Sequence, residues 1–187
     1  PDALPASQDR GFQVANNWIH DTTVEYHGGV GVFGGYVADL ALHHNELVNL
    51  PYSGTAVGWG WGRNAYAENN LFVANRIENV MQVLAAGGSI YTLSSQPRSF
   101  VNANYLANSV INGIYHDEGS AYYTDRFDVV QQAWVYWLTL WTASIHDNDI
   151  QYCWHDLDNG NNAGTNNVVA NNTFVADSNW PAAARSV

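Results

Sequence analysis

The feature that most constrains the fold is a short asparagine-centred pattern that recurs along the chain. It occurs as NNWIHD, HNELVN, ANRIENV, ANYLANS, DNDIQYC and NNTFVAD, with Asn17, Asn45, Asn75, Asn104, Asn148 and Asn172 as its markers. The markers are separated by 28, 30, 29, 44 and 24 residues, and the gap of 44 has room for a degenerate copy, FDVV, which begins at Phe127. A repeat of about 20 to 30 residues with an asparagine at a fixed turn is typical of a parallel β-solenoid.

The segments between the markers favour short strands. They are apolar runs bounded by glycine, such as GVGVFGGY, GTAVGWGWG and GGSIYTLSS, and none shows a sustained helical period. We therefore predict an all-β protein, a parallel β-helix of about seven coils that forms a single domain over residues 1–187. Open strand edges at the ends of a solenoid need a cover. We expect the chain to be part of a longer protein, or its ends to be capped by other domains or chains.

The charge pattern disfavours two classes of partner. The formal net charge is −11, with six Arg and no Lys. Nucleic acids and anionic membrane surfaces are bound by clustered Lys and Arg, which this sequence does not contain. We expect neither nucleic acid nor membrane as a partner.

Two adjacent acids, Asp117 and Glu118 in GIYHDEGSAYY, stand out in a chain of which only 12% is charged. They fit a solvated turn, a metal site or an acid/base pair. His-Asp also occurs four times, mostly near the repeated turn, where turn chemistry explains it better than metal ligation. No cofactor is expected, although a Ca²⁺ site made of carbonyl and carboxylate oxygens stays open.

Aromatic residues provide the candidate binding surface. Trp59 and Trp61 in VGWGWG alternate with glycine, so on a strand they share one face and leave room for a flat ligand such as a sugar ring. The alternative is that they pack on the solenoid exterior. Tyr91, Tyr115 and Tyr122 are predicted to line the same groove, or else to belong to the core or a surface ladder.

Three motifs, NLPYSGTAVGWGWG, GGSIYTLSSQP and NGIYHDEGS, together resemble bacterial right-handed parallel β-helix glycoside hydrolases, which act on fucosides, xylosides and galactosides. The resemblance implies a right-handed coil and a protein that is secreted or periplasmic. It also implies an oligo- or polysaccharide partner of plant or bacterial origin, cleaved by a pair of carboxylates. Asp117 and Glu118 are then the candidate catalytic residues, and the isolated Glu25 is a candidate to bind a sugar hydroxyl.

One position departs from the family pattern, which commonly carries Asp before GGSIYTL where this chain has Ala86. Aligning AAGGSIYT with HDEGSAYYT places Ala86 opposite Asp117, whereas a second register pairs Ile90 with Ile114. The sequence does not choose between them. Ala86 keeps a non-catalytic carbohydrate-binding solenoid open as an alternative function. A polysaccharide lyase is disfavoured, because lyases typically use Lys or Arg.

Overall fold

The computed structural model describes residues 8–61, 67–139, 145–157, 160–162 and 164–187, with backbone only for 137–139 and 161–162. Its strands are short, and all pair in parallel. The helix among these residues, α1 (Ala182–Arg185), has four residues. None of the described helical segments is long and apolar enough to cross a membrane.

Three parallel sheets run along the protein, and each coil contributes its strands to sheets 1, 2 and 3 in that order. Sheet 1 contains β2 (Gln13–Ala15), β6 (Ala41–His43), β9 (Leu71–Val73), β12 (Ser95–Asn102), β15 (Ala121–Arg126), β18 (Asp149–Gln151) and β21 (Val168–Ala170). Sheet 2 contains β3 (Trp18–His20), β7 (Glu46–Val48), β10 (Arg76–Glu78), β13 (Tyr105–Ala107), β16 (Val129–Gln131), β19 (Trp154–His155) and β22 (Thr173–Phe174).

Sheet 3 contains β4 (Val32–Gly34), β8 (Thr55–Val57), β11 (Gly88–Thr92), β14 (Asn112–His116), β17 (Val135–Thr139) and β20 (Gly160–Asn162). A two-stranded pair, β1 (Asp9–Arg10) and β5 (Val37–Ala38), completes the described strands. The predicted all-β parallel β-helix is confirmed. The last described coil has strands in sheets 1 and 2 only, so the complete coils are slightly fewer than the seven predicted.

A ladder of buried amides explains the asparagine spacing. The Asn17 side chain donates to Asn45 Oδ1 at 2.9 Å, Asn45 donates to Asn75 at 3.0 Å, Asn75 donates to Asn104 at 3.0 Å, and Asn104 donates to Asp128 at 2.8 Å. Each ladder residue follows a residue with a left-handed backbone, for example Asn16 with φ 57°. The repeated motif therefore marks the turn from sheet 1 into sheet 2.

The degenerate copy is confirmed, and one marker is corrected. Asp128 in FDVV occupies the ladder position after Asn104, and Cys153 follows one coil later, where its backbone N–H donates to Asn172 Oδ1 at 2.9 Å. Asn148 belongs to a different corner, between sheets 3 and 1, where its side chain donates to Asn167 Oδ1 at 3.2 Å. The similar motif DNDIQ therefore comes from a second amide ladder.

The core lies between the three sheets. Its sheet 1 row runs through Phe72, Val101 and Ile150, which are each at most 1% exposed. Asp125 is paired in register between Val101 and Ile150 and is fully buried in the same row. A buried carboxyl group needs a polar partner. The partner of Asp125 is His116, next to the candidate site.

Candidate functional site

The candidate site lies on the outer face of sheet 3, beside the corner where the chain passes into sheet 1. The register pairs Ala56 of β8 with Tyr91 of β11, and Tyr91 with Tyr115 of β14. Side chains alternate between the faces of a strand, so the fully buried Ile90 and Thr92 point into the core and Tyr91 points outwards. The Tyr91 and Tyr115 ring centroids are 5.3 Å apart.

Asp117 follows the last residue of β14 and is held in one orientation. Its Oδ2 accepts a hydrogen bond from the Tyr91 hydroxyl at 2.6 Å, and its Oδ1 accepts one from the Glu118 backbone N–H at 2.7 Å. Its own backbone N–H donates to the Thr92 carbonyl at 3.0 Å, and its carbonyl accepts from the Ser120 N–H at 2.9 Å. Asp117 is only 9% exposed, so its carboxylate is an ordered part of the outer surface.

Three tyrosines surround this carboxylate. Burial and then the charge of Asp117 raise the pKa of Tyr52 and Tyr115. Burial and then the hydrogen bond to Asp117 raise the pKa of Tyr91. The phenols therefore remain neutral hydrogen-bond donors well above neutral pH.

Tyr52 is the tyrosine of this cluster that was not predicted from the sequence. Its hydroxyl donates to the Ala86 carbonyl at 2.8 Å. Tyr52 lies in the motif NLPYSG, but outside the strands, where no alternation of apolar residues marks it. Its position within NLPYSG, part of one of the three motifs that carry the resemblance, is the signal that was available.

Buried hydroxyls and a His–Asp pair support the corner from inside. His116 Nε2 lies 2.8 Å from Asp125 Oδ2, and His116 Nδ1 lies 2.7 Å from Thr92 Oγ1. Thr92 Oγ1 is 3.0 Å from Ser120 Oγ, and the Ser120 hydroxyl also donates to the Thr92 carbonyl at 3.0 Å. The same Thr92 and Ser120 hold the backbone of Asp117. The network thus connects the Asp117 turn to a polar pair in the core.

An aromatic cleft of about 400 Å³ opens beside Tyr52 and Tyr91, with Phe33, Trp59 and Trp61 in its lining. The Trp59 and Trp61 ring centroids are 5.2 Å apart, and the two side chains are 40% and 56% exposed. Both line the same cleft. The prediction that they share one face of a strand is wrong, because β8 ends at Val57 and both lie in the connection that follows.

Gly58 determines how this connection leaves the sheet. Its φ is 103°, which favours glycine, and an added Cβ would lie 1.9 Å from the Leu93 carbonyl oxygen. The Gly58 N–H donates to the Gly34 carbonyl at 2.8 Å. The first glycine of VGWGWG is thus explained by the close approach of the Gly58 backbone to the Leu93 carbonyl.

The strand register corrects the alignment of Ala86 with Asp117. Ile90 pairs with Ile114 and Tyr91 with Tyr115, so the second register is the observed one. Ala86 precedes β11, whereas Asp117 follows β14, and the two residues therefore lie at opposite ends of neighbouring strands. Ala86 nevertheless borders the tyrosine cluster through its hydrogen bond from Tyr52.

The remaining predicted site residues are placed less centrally. Glu118 is partly exposed at the corner, and its carbonyl accepts from the Ser94 N–H at 3.3 Å. Tyr122 lies on sheet 1 with its ring edge-on to His146 at 5.3 Å, and not with Tyr91 on sheet 3. Glu25 is exposed in the connection between β3 and β4 and not in a strand; Gly28 and Gly29 of that connection line the cleft.

Two of the four His-Asp motifs form a pair between the adjacent residues themselves. His20 binds Asp21 at 2.8 Å and His146 binds Asp147 at 2.6 Å, whereas His116 turns inwards to Asp125. Within the described part of the chain, no group of three or more His, Cys, Asp or Glu side chains is arranged to hold a metal ion.

Comparison with known proteins gives one structural match. No protein family model and no curated protein matches the sequence. A solved structure described as "Glycoside hydrolase" matches with a TM-score of 0.67 and 25% sequence identity. The match covers 95% of this chain and 29% of that chain, so this chain spans less than a third of the length of the protein it matches. The β-solenoid described above is therefore similar to part of a protein named a glycoside hydrolase.

Proposed function

We propose that this chain is carbohydrate-active and hydrolyses glycosidic bonds of an oligo- or polysaccharide at Asp117. The observation that carries the proposal is the Asp117 carboxylate, which accepts a hydrogen bond at 2.6 Å from Tyr91, a residue that lines the aromatic cleft. The match to a solenoid named a glycoside hydrolase supports the same reaction class.

The chemistry follows from what glycosidic cleavage requires. One carboxyl group protonates the leaving oxygen, and a second attacks the sugar or activates water. Both oxygens of Asp117 accept hydrogen bonds, which suits the nucleophile or base. Glu118 is partly exposed beside it, which suits the proton donor. The Tyr91 hydroxyl keeps the Asp117 carboxylate oriented towards the outer face.

The cleft suits a neutral sugar. Its described lining consists of aromatic, glycine and aliphatic residues, with Trp59 and Trp61 at the exposed side. Aromatic rings present flat apolar faces to the C–H face of a sugar ring, while a tyrosine or tryptophan edge retains a hydrogen-bond donor. The lining thus supports an uncharged sugar as the substrate. The resemblance to bacterial β-helix glycoside hydrolases adds the proposal that this sugar belongs to a plant or bacterial glycan outside the cell.

A second function is favoured by one observation. Ala86 borders the tyrosine cluster at the position where the resembled family commonly has Asp. If that carboxylate is required, the chain binds carbohydrate without cleaving it.

Product analysis separates these functions. The chain is incubated with fucosides, xylosides, arabinosides and galactosides, and the products are analysed by chromatography and ultraviolet absorbance, with and without Ca²⁺. Release of saturated sugars supports the hydrolase. Unsaturated products would indicate a lyase, and saturable binding without products would indicate a carbohydrate-binding solenoid.

A further inference from the structure

A second depression lies on the outer face of sheet 3, on the other side of the Tyr91–Tyr115 pair. This hollow has a volume of about 330 Å³ and is lined by Ala86, Ile111, Tyr115 and Trp134, among others. Tyr91 lines the tryptophan cleft and Tyr115 lines the hollow. The two depressions are therefore separated by one pair of rings, whose centroids are 5.3 Å apart.

The carboxylate of Asp117 lies at this dividing pair. It accepts a hydrogen bond from Tyr91, and its charge acts on Tyr115. A ligand that occupies both depressions has to pass over the two tyrosines and hence next to Asp117. That is the position expected for the bond that is cleaved.

Trp134 gives the hollow an exposed aromatic wall. Its side chain is 67% exposed, whereas Tyr115 is only 5% exposed and belongs to the floor. Trp134 immediately precedes β17, and the Val135 N–H donates to the Ile111 carbonyl at 2.8 Å, which holds the backbone next to Trp134 at the edge of the hollow. The hollow thus resembles the first cleft, where the partly buried Tyr91 lies near the exposed Trp59 and Trp61.

The spacing suits a chain of sugars. Trp59 follows β8 and Trp134 precedes β17, and these strands are three positions apart in sheet 3. Three strand spacings correspond to about 14 Å along the solenoid axis. A single monosaccharide does not cover this length, whereas a short oligosaccharide does.

We infer that the hollow beside Trp134 is a second sugar-binding subsite, and that the substrate is an oligosaccharide lying across the Tyr91–Tyr115 pair. The inference rests on the proposed function of the Asp117 site. The sugar unit on one side of the cleaved bond occupies the cleft of Trp59 and Trp61, and the unit on the other side occupies the hollow.

The test is binding as a function of ligand length. The Asp117→Asn variant, chosen to prevent turnover, is prepared with and without Trp134→Ala. Calorimetry then measures the affinities of both proteins for xylose, xylotriose and xylohexaose, and for the matching galacto-oligosaccharides. We expect Trp134→Ala to weaken binding of the long ligand by at least about tenfold, as for a central aromatic contact. Monosaccharide binding should stay within about twofold.

Two further variants make the result specific. Trp18 lies on sheet 2 with a similar exposure of 68%, so Trp18→Ala should leave all affinities unchanged. Trp134→Phe keeps an aromatic face and should recover most of the long-ligand affinity. Thermal unfolding followed by circular dichroism verifies that each variant is folded.

The inference would be overturned if Trp134→Ala left long-ligand binding unchanged, if long ligands bound no tighter than monosaccharides, or if no sugar bound. These results differ from a failure of the proposed hydrolysis. Length-dependent binding that requires Trp134, in a chain without turnover, supports the subsite and rejects the hydrolase. Turnover of aryl monoglycosides with no effect of Trp134 retains the hydrolase and rejects the subsite.

Discussion

Replacing Asn75 by alanine tests whether the amide ladder is what holds the coils in register. Asn75 is 2% exposed in the middle of the ladder. Its Oδ1 accepts from the backbone and side-chain N–H groups of Asn45 at 3.1 and 3.0 Å. Its Nδ2 donates to the Leu42 carbonyl at 2.9 Å and to Asn104 Oδ1 at 3.0 Å.

The size of the effect follows from the groups left without partners. Asn75→Ala leaves the Asn45 backbone N–H and one Asn45 amide hydrogen unpaired in the core and removes the bond to the Leu42 carbonyl, while Asn104 Oδ1 keeps its bond from the Asn75 backbone N–H. Each buried unpaired group costs about 1–3 kcal/mol. Because such costs are not additive, we expect a loss of about 3–5 kcal/mol in the free energy of unfolding, which for a chain of this size lowers Tm by about 10 °C.

The assay is urea and thermal unfolding followed by circular dichroism, with Asn17→Ala as the matched control. Asn17 makes the same kind of bond to Asn45 at 2.9 Å, but it lies at the exposed end of the ladder. Water can replace its contacts there, so Asn17→Ala should cost less than about 1 kcal/mol. A loss below about 1 kcal/mol for Asn75→Ala as well would refute the reasoning.

Two other substitutions have expected outcomes. Burial raises the pKa of the Asp128 carboxyl group well above its usual range. Above the unfolded-state pKa of about 3.9, the folded chain therefore retains a proton that the unfolded chain releases, and the free energy of unfolding falls as the pH rises. In urea unfolding at several pH values, Asp128→Asn should be more stable than the parent at pH 7, and the difference should shrink towards pH 4; a constant difference would contradict this. Gly58→Ala forces a Cβ to 1.9 Å from the Leu93 carbonyl oxygen at φ 103°, and by thermal unfolding it should lose at least about 2 kcal/mol. Gly35→Ala, whose Cβ would have its nearest neighbours at 3.6 Å, should change stability by less than about 0.5 kcal/mol, and equal effects of the two would contradict the argument.

The fold could be predicted because the ladder imposes a chemical requirement at a fixed interval. A buried amide at each turn needs another polar group one coil away, so Asn17, Asn45, Asn75 and Asn104 recur visibly. The pattern became ambiguous where other residues take the ladder position, as Cys153 does one coil after Asp128. A second ladder with similar neighbours then made Asn148 look like the missing copy.

The site was only partly accessible from the sequence. Asp117, Tyr91 and Tyr115 were singled out, and the structure brings them together. The sequence left open which residue of the next coil pairs with Ala86, because both alignments preserve the alternation of inward-facing and outward-facing residues along the strand. Tyr52 reaches the site from a connection, and a side-chain contact of this kind leaves no periodic signal.

The most direct test of the proposed function compares the turnover of the unmodified chain with that of Asp117→Asn on the glycoside that it cleaves best. Asp147→Asn is the matched control, because Asp147 is an exposed acid at the next turn, with φ 55°, a conformation that asparagine adopts readily. We expect Asp117→Asn to lower kcat by at least about a thousandfold, about 4 kcal/mol of transition-state stabilisation, with the fold and sugar binding retained. Asp147→Asn should keep nearly full activity. Equal turnover of Asp117→Asn and the unmodified chain would contradict the assignment of Asp117 as the catalytic carboxylate.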